Sequence, residues 1–263
     1  MTALAANFDS YVAQFGQGVP FQRFGQWEYH RETIDRRRHL GSVTAALHNE
    51  AFLDSLYKTL QAWGIGRRAS RLIERAEFGR ALQRHEETLE GLEVLSIEDG
   101  DLDTLTAGRA LSVLIEDLEI VDNVSKIVPG SKAVHHLLPD LMPPLDRRWS
   151  GLFFRWQPTD PQQAHERIFL EAFINLANVA SATQPSRLVD SSWNTSSSKV
   201  LDNALIGFCQ VELGFAAEPA PTEPETDEPE SLGAPQYVRP ALAPPALPKQ
   251  PIRRGWFGGR RAL

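Results

Sequence analysis

The sequence predicts an all-α protein, with one globular helical domain at residues 1–215 and a disordered, proline-rich tail at residues 216–263. Two observations predict the helices: apolar residues recur at spacings of three and four in several segments, and no segment alternates apolar and polar residues convincingly. A third observation predicts the tail, because ten of the 18 prolines lie beyond residue 215. At 263 residues and 42% hydrophobic content, the chain is long enough to bury a substantial core.

Two apolar stripes predict helices in the first half of the domain. The first helix is expected to end at the glycines of WGIG, and the second to begin at the acids of DGDLD, because glycines terminate helices and acidic side chains cap them. The first stripe consists of Val43, Leu47, Leu56, Leu60 and Trp63, and the second of Leu111, Leu114, Ile115 and Leu118.

Two further helices are predicted in the second half. In DPQQ, Asp160 is the expected N-cap, Pro161 occupies the first helical position and Gln163 completes a capping box. The last helix is expected to follow NTSSS, whose hydroxyl groups are candidate caps or, alternatively, the mouth of a phosphate site. The core positions of the two helices are Ile168, Phe169, Ala172, Phe173, Leu176 and Ala177, and then Val200, Leu201, Ala204, Leu205 and Phe208.

The stretch SKAVHHLLPDLMPPLDRRW, residues 131–149, combines histidines, prolines, acids and cations. Ser131 is the expected N-cap of a short helix that Pro139 ends, and the prolines of PDLMPP favour an extended link. Asp146 is then expected to cap the next helix, with Trp149 on its apolar face. A helix, a rigid turn and a second helix therefore explain the stretch without any ligand.

The segment IVPGSKAV, followed by a proline-containing link and PLDRRW, resembles the helix-hairpin-helix DNA glycosylase superfamily over residues 127–149. The resemblance matches Pro129 and Gly130 to the hairpin, Lys132 to the lysine that forms a Schiff base with the sugar in lyase-competent members, and Asp146 to the aspartate that stabilises the sugar cation. The second hairpin glycine is absent here, the interval between Lys132 and Asp146 is short, and no cysteine cluster is present. The stretch is also similar to uncharacterised bacterial helical proteins, which implies a shared fold only.

Histidines are the candidate metal ligands of this sequence, and arginines are the candidate anion-binding groups. His135 and His136 are adjacent and therefore point about 100° apart on a helix, so we expect hydrogen-bonded histidines, with no metal and no cofactor. The arginine-rich runs GRRASRLIER and LDRRW, together with EYHRETIDRRRHLG, offer a candidate anion or nucleic-acid face. The alternative is a solvated charge run paired with Glu28, Glu32, Glu74 and Glu77. The main candidates of the anion face are Arg67, Arg68, Arg71, Arg147 and Arg148.

Bulk properties restrict the class of protein. The net charge of −7 lies in residues 1–215, which carry 28 acids against 21 bases, and this argues against a protein that coats duplex DNA. Cys209 is the only cysteine and lies in an apolar run, so we expect a buried, inert thiol. The apolar runs are too short to span a bilayer, and MTALAANF shows no secretion signal, so we expect a cytoplasmic protein without integral membrane association.

These observations leave three functional interpretations. The leading one is a non-catalytic binding or scaffold protein, because capping and packing account for residues 131–149. The alternative is a diverged glycosylase or lyase acting on damaged or abasic DNA through Lys132 and Asp146. A third interpretation assigns the function to the tail, in which Trp256 and Phe257 lie between two arginine pairs and would dock a protein partner.

Overall fold

The computed structural model describes residues 1–21, 25–66, 71–122, 126–156 and 165–215, and all of them belong to one unit, Met1–Thr222. Within these ranges the chain is helical and contains no strand, which confirms the predicted all-α class. The expected tail at 216–263 and the expected cap of Asp160, Pro161 and Gln163 lie outside the described residues. None of the helices in these ranges is long and apolar enough to cross a membrane.

The helices follow one another through short connections. They are α1 (Thr2–Ala6), α2 (Phe8–Gln17), α3 (Gln26–Leu40), α4 (Val43–Leu47), α5 (Glu50–Ala62), α6 (Arg75–Gln83), α7 (Glu86–Glu93), α8 (Thr104–Asp117), α9 (Ile127–Leu137), α10 (Trp149–Phe153), α11 (His165–Thr183) and α12 (Ser197–Glu212). A short 3₁₀ helix, Pro185–Leu188, lies between α11 and α12.

The predicted helix over residues 43–63 is wrong in one respect, because the segment forms two helices. The Ser42 side chain accepts a hydrogen bond from the N–H of Ala45 and begins α4, and the Asn49 side chain accepts one from Phe52 and begins α5. The cap at Asn49 lies between the predicted core residues and interrupts the run of helical backbone hydrogen bonds. Both helices still contribute their stripe to the core, and α5 ends just before the predicted glycines.

The later helices match the sequence closely. Asp103 caps α8 by accepting the N–H of Thr106, as the acids of DGDLD predict. The core positions of α11 are buried, apart from Ile168, which is partly buried. The predicted face of α12 is buried as well, with Phe208 at its edge.

The last helix, α12, runs through the middle of the fold and is buried on most of its circumference. It packs against α2 at Gly207, where an added Cβ would lie 2.0 Å from the carbonyl oxygen of Tyr11. Only glycine permits so close an approach between two helix backbones. At the other end of α12, the segment leading into the helix contacts α3, where the Thr195 hydroxyl lies 2.8 Å from His30, and α12 contacts α9, where the Ser198 hydroxyl lies 3.1 Å from His135.

Candidate functional site

The helix α9 begins five residues earlier than predicted, with Lys126 and not Ser131 at its N-cap position. It starts at Ile127, so Ser131 lies within the helix and is not its N-cap. The Ser131 hydroxyl donates to the carbonyl of Val128 and accepts the N–H of Leu145, 3.1 Å away. Ser131 therefore joins the helix to the proline-rich turn that follows it, which is a tertiary role that a capping pattern does not reveal.

The two residues matched to a hairpin also lie inside α9. Pro129 occupies the first turn, where its missing N–H breaks no intrahelical hydrogen bond. Gly130 packs against α8, and an added Cβ would lie 2.8 Å from Cγ2 of Ile115. The Pro-Gly pair thus permits close helix packing here and does not form a turn between helices.

Lys132 and Asp146 form an ion pair, with Nζ and Oδ2 3.1 Å apart. Lys132 is 6% exposed, and its Nζ also donates to the carbonyl of Trp63. The other Asp146 oxygen accepts the N–H of Arg148 at 2.8 Å and that of Trp149, the first residue of α10. Asp146 therefore binds amides at the start of α10 as expected, but the N-cap position belongs to Arg148, so the predicted cap residue is wrong. Burial alone would raise the pKa of Asp146, but the Lys132 ammonium and these N–H groups lower it below its ordinary value.

A second ion pair, Lys199 with Asp202, lies nearby on α12. Their Nζ and Oδ2 atoms are 2.7 Å apart, and Lys199 is 1% exposed and also donates to Asn203. The ammonium faces the rings of Phe15, Phe21 and Trp193 at 5.2 to 5.6 Å. Burial lowers the pKa of Lys199, although Asp202 opposes this, and burial raises the pKa of Asp202.

Both ion pairs open onto one small cavity of about 60 Å³. Its lining residues are Phe21, Gln26, Trp63, Lys132, Pro144, Asp146, Lys199 and Asp202. Pockets for drug-sized ligands measure roughly 300 to 1,000 Å³, and a single water needs about 10 to 15 Å³. The cavity therefore holds a few waters or one small polar group of a larger ligand, between four ionisable side chains and two aromatic rings.

Three buried histidines lie beside this cavity, His30 on α3 and His135 and His136 on α9. His30 Nδ1 lies 2.9 Å from His136 Nε2, and a ring nitrogen of each histidine lies within 4.8 Å of one from each of the others. The His30 ring stacks on Trp193 at 5.8 Å and lies 5.0 Å from Trp63. These nitrogen atoms are the groups in this region that are able to hold a metal.

Burial keeps these imidazoles neutral, because desolvation disfavours the charged ring. It lowers the pKa of His136 to about 4 and the pKa values of His30 and His135 well below their ordinary range, and the neighbouring histidines lower both further. His135 Nε2 is buried and has no hydrogen-bond partner among the described residues.

The cluster of His30, His135 and His136 was not predicted from the sequence. Two adjacent histidines do point in different directions, but His30 comes from a helix 105 residues upstream and completes the set from the other side. The Lys199–Asp202 pair was missed as well, although lysine, aspartate and asparagine at positions 199, 202 and 203 share one face of a helix that is otherwise apolar there. That spacing is a signal the sequence did contain.

Several arginines of the arginine-rich runs are engaged within the fold, some with neighbours in sequence and others with distant segments. Arg36 pairs with Glu32, as predicted, and Arg75 pairs with Glu50 and Asp54. Arg37 is buried and binds Glu93 and the carbonyl of Leu137, so it does not belong to a solvated face.

Three of the five arginines named as anion-binding candidates lie within the described residues. Arg67 and Arg68 lie outside the described residues. Arg71 and Arg147 are exposed, and the Arg148 guanidinium lies over the Trp149 ring at 4.8 Å. The tail residues Trp256 and Phe257 also lie outside the described residues.

The hydroxyl groups of NTSSS serve the fold. Ser196 caps α12 by accepting the N–H of Lys199, Ser198 donates to the carbonyl of Met142 at 2.9 Å, and both serines are buried. The capping alternative therefore accounts for Ser196, whereas Ser198 and Thr195 bind other segments of the fold. Cys209 is also buried, which raises the pKa of its thiol to about 12 and agrees with the predicted inert cysteine.

No protein-family model matches the chain, and neither a curated protein nor a solved structure matches it.

Proposed function

We propose that the helical domain is a non-catalytic binding protein whose ligand places a small polar group in the cavity between the two lysine–aspartate pairs. One observation carries the proposal: Lys132, Asp146, Lys199 and Asp202 all line the same 60 Å³ cavity. Buried ion pairs stabilise a fold little or not at all relative to well-packed apolar side chains. Four ionisable groups around one cavity are therefore better explained by ligand recognition than by stability.

The lining indicates which ligands fit. Two cations and two anions suit a group that both donates and accepts hydrogen bonds, such as an amide, an amino acid head group or the edge of a nucleobase. Trp63 and Phe21 supply flat apolar surfaces beside those charges. Because the cavity is small, the rest of the ligand would extend toward the protein surface.

Ligand-observed NMR with a panel of nucleobases, nucleosides and amino acids tests this proposal. We expect saturation transfer to some members of the panel and its loss in Asp146→Asn. The matched control is Asp140→Asn, because Asp140 is exposed and lies six residues earlier in the same turn. Signals that persist equally in both variants, or no signal from the whole panel, would count against a ligand site in this cavity.

The contact between Lys132 and Asp146 favours a second candidate, a lyase-like enzyme acting on abasic DNA. A lysine amine that has given up its proton attacks the sugar aldehyde and, with loss of water, forms a Schiff base. A carboxylate 3.1 Å from that amine is able to accept its proton and to stabilise a developing sugar cation. The small cavity argues against this candidate, because a flipped nucleotide does not fit into 60 Å³ without opening of the surrounding segments.

Borohydride trapping on abasic DNA distinguishes the second candidate from the first. An enzyme of this kind forms a covalent adduct that is lost in Lys132→Gln and retained in Lys126→Gln, whose amine binds the carbonyl of Glu116 near the surface. The absence of a Lys132-dependent adduct would exclude a lyase that forms a Schiff base through Lys132. Binding to duplex, single-stranded and abasic DNA across a salt series separately reports on the candidate arginines.

The domain is further proposed to act in the cytoplasm, with residues 216–263 linking it to a protein partner through Trp256 and Phe257. Support comes from the sequence alone, in which these aromatics lie between two arginine pairs. A fluorescent peptide of residues 250–263, compared with one carrying Trp256→Ala and Phe257→Ala, would measure binding to each candidate partner. Equal affinity of the two peptides would remove the aromatic pair from the proposal.

A further inference from the structure

We propose that His30, His135 and His136 form a binding site for a first-row divalent transition metal, with Zn²⁺ as the best-matched ion. The ligating atoms are His30 Nδ1, His135 Nε2 and His136 Nε2. This site is separate from the cavity of the proposed function, and it does not depend on the identity of any ligand in that cavity.

The hydrogen bonds of the other three ring nitrogens prepare these atoms for a metal. His136 Nδ1 lies 2.7 Å from the carbonyl of Lys132, and His135 Nδ1 lies 2.9 Å from the carbonyl of Met142. A carbonyl only accepts, so each Nδ1 carries the proton and each Nε2 presents a lone pair. Metal-binding histidines characteristically donate their second N–H to a backbone carbonyl or a similar acceptor, which fixes the tautomer and the orientation of the ring.

His30 completes the set in the opposite orientation. Its Nε2 lies 2.8 Å from Oγ1 of Thr195, a hydroxyl that can accept the Nε2 proton. With that proton on Nε2, the Nδ1 lone pair points toward His136, whose Nε2 lies 2.9 Å away. Two histidines on α9 and one on α3 thus place three ring nitrogens within 4.8 Å of one another.

The spacing agrees with zinc coordination. Two nitrogens that bind one zinc at about 2.0 to 2.1 Å with tetrahedral angles lie roughly 3.3 Å apart. The distance between His30 Nδ1 and His136 Nε2 is 2.9 Å, slightly shorter than that value. The distances among the three ring nitrogens do not exceed 4.8 Å, so the longest is at most about 1.5 Å above it. Small rotations of the rings are sufficient to reach it, because each nitrogen has to move by about an ångström or less.

A second observation independently points to a ligand at this place. His135 Nε2 is fully buried, belongs to one of the three clustered rings and has no hydrogen-bond partner among the described residues. A buried polar atom with no partner is unfavourable, and most such atoms in native proteins mark a water, an ion or a functional role. A metal between the three rings satisfies this atom and replaces the 2.9 Å hydrogen bond between His30 Nδ1 and His136 Nε2.

The chemistry of the donors selects the class of ion. Three neutral imidazoles suit Zn²⁺, Cu²⁺, Ni²⁺ and Co²⁺, whereas Mg²⁺ and Ca²⁺ require oxygen ligands. The nearby charges of Lys132 and Lys199 oppose a cation, but Asp146 and Asp202 pair with them at 3.1 and 2.7 Å. Three protein ligands leave a fourth position for water or a small anion, an arrangement found in catalytic zinc sites.

The test is a metal titration of the full chain, purified without a histidine tag and treated with a chelator. Zn²⁺ is added in competition with a chromophoric chelator, and Co²⁺ is used separately because its absorption reports coordination number. His135→Asn is the informative variant, since its amide keeps a donor for the Met142 carbonyl while the Nε2 atom is lost. His39→Asn is the matched control, because His39 is exposed and lies on α3 with His30.

We expect the wild-type chain and His39→Asn to bind one equivalent of Zn²⁺, and His135→Asn to bind it about a hundredfold more weakly or not at all. If His135→Asn does not fold, X-ray absorption on the zinc-loaded wild-type chain decides the question. Three imidazole nitrogens at about 2.0 Å support the site. Stoichiometric binding that is unchanged in a folded His135→Asn, an oxygen-only coordination shell, or no binding by the wild-type chain would each overturn the proposal and show a purely hydrogen-bonded cluster.

Discussion

Replacing Lys199 by methionine tests whether the buried Asp202 carboxylate on α12 is charged and depends on the Lys199 ammonium for its stability. Methionine keeps most of the volume and the apolar contacts with Phe15 and Phe21 but removes the ammonium. Asp202, which is 6% exposed, then loses the cation 2.7 Å from its carboxylate. The change therefore leaves the Asp202 carboxylate in the protein interior without its own cation, with Lys132 and Asp146 as the remaining charged residues of the cavity.

The expected loss of stability is large for a single substitution. Removal of one partner from a buried pair costs about 3 to 5 kcal/mol, because the remaining charge is uncompensated. Protonation of Asp202 limits the loss, since burial already raises its pKa and the neutral acid is tolerated better than the anion. A domain typically has about 5 to 15 kcal/mol of stability in total, so the variant should remain folded at pH 7 and unfold at a much lower urea concentration.

Urea unfolding of three further variants completes the experiment: the single variant Asp202→Leu, a double variant and a surface control. The double variant Lys199→Met with Asp202→Leu removes both charges, and we expect it to recover most of the loss, to within about 1 kcal/mol of the wild type. The control Arg36→Met breaks an exposed pair with Glu32 and should cost less than about 1 kcal/mol. If Lys199→Met costs under about 1 kcal/mol, or if the double variant is as unstable as the two single variants combined, the pair is not the coupled buried ion pair argued above.

Three further results are expected. Burial lowers the pKa of His136 to about 4, whereas a histidine in the unfolded chain has a pKa of about 6.5. Between these two pH values the unfolded chain binds the proton and the folded chain does not, so the free energy of unfolding should fall by up to about 3 kcal/mol as the pH drops from 6.5 toward 4. Equal urea midpoints at pH 7.5 and 4.5 would contradict this. Gly207→Ala, which places Cβ 2.0 Å from the Tyr11 carbonyl, should lose about 3 kcal/mol or more, whereas Gly91→Ala, with no heavy atom within 4 Å, should be neutral or stabilising, and thermal unfolding of both variants checks the contrast. Cys209 should react with a thiol-specific disulfide reagent only in urea, because its buried thiol has a pKa of about 12, and rapid labelling of the native chain would show an accessible site.

Much of the fold could be predicted because its determinants are local. The stripe of α8 and the cap at Asp103 are encoded within a few residues, and the structure confirms both. Helix boundaries were harder to predict where local signals compete. Ser131 has the chemistry of an N-cap, but α9 extends five residues farther back, and the Ser131 hydroxyl is used between the helix and the turn.

The candidate site was predicted only in part. The pairing of Lys132 with Asp146 agrees with the residues singled out in residues 131–149, which lie close enough in sequence for a helix and turn to bring them together. The Lys199–Asp202 pair, which lines the same cavity, was not predicted, although its spacing on one helix is visible in the sequence. Side-chain chemistry was evident in both cases, but their shared cavity was not.

The sequence by itself determined the all-helical class, the apolar faces of α8, α11 and α12, and the buried character of Cys209, because each follows from the periodicity and composition of a short segment. The tertiary structure decided where those helices begin and which distant side chains meet. His30 reaches His135 only because α3 packs against α9, across 105 residues of chain. No local pattern encodes that packing, since it depends on the summed burial of apolar faces over the whole domain and on the close contact of α2 and α12 at Gly207.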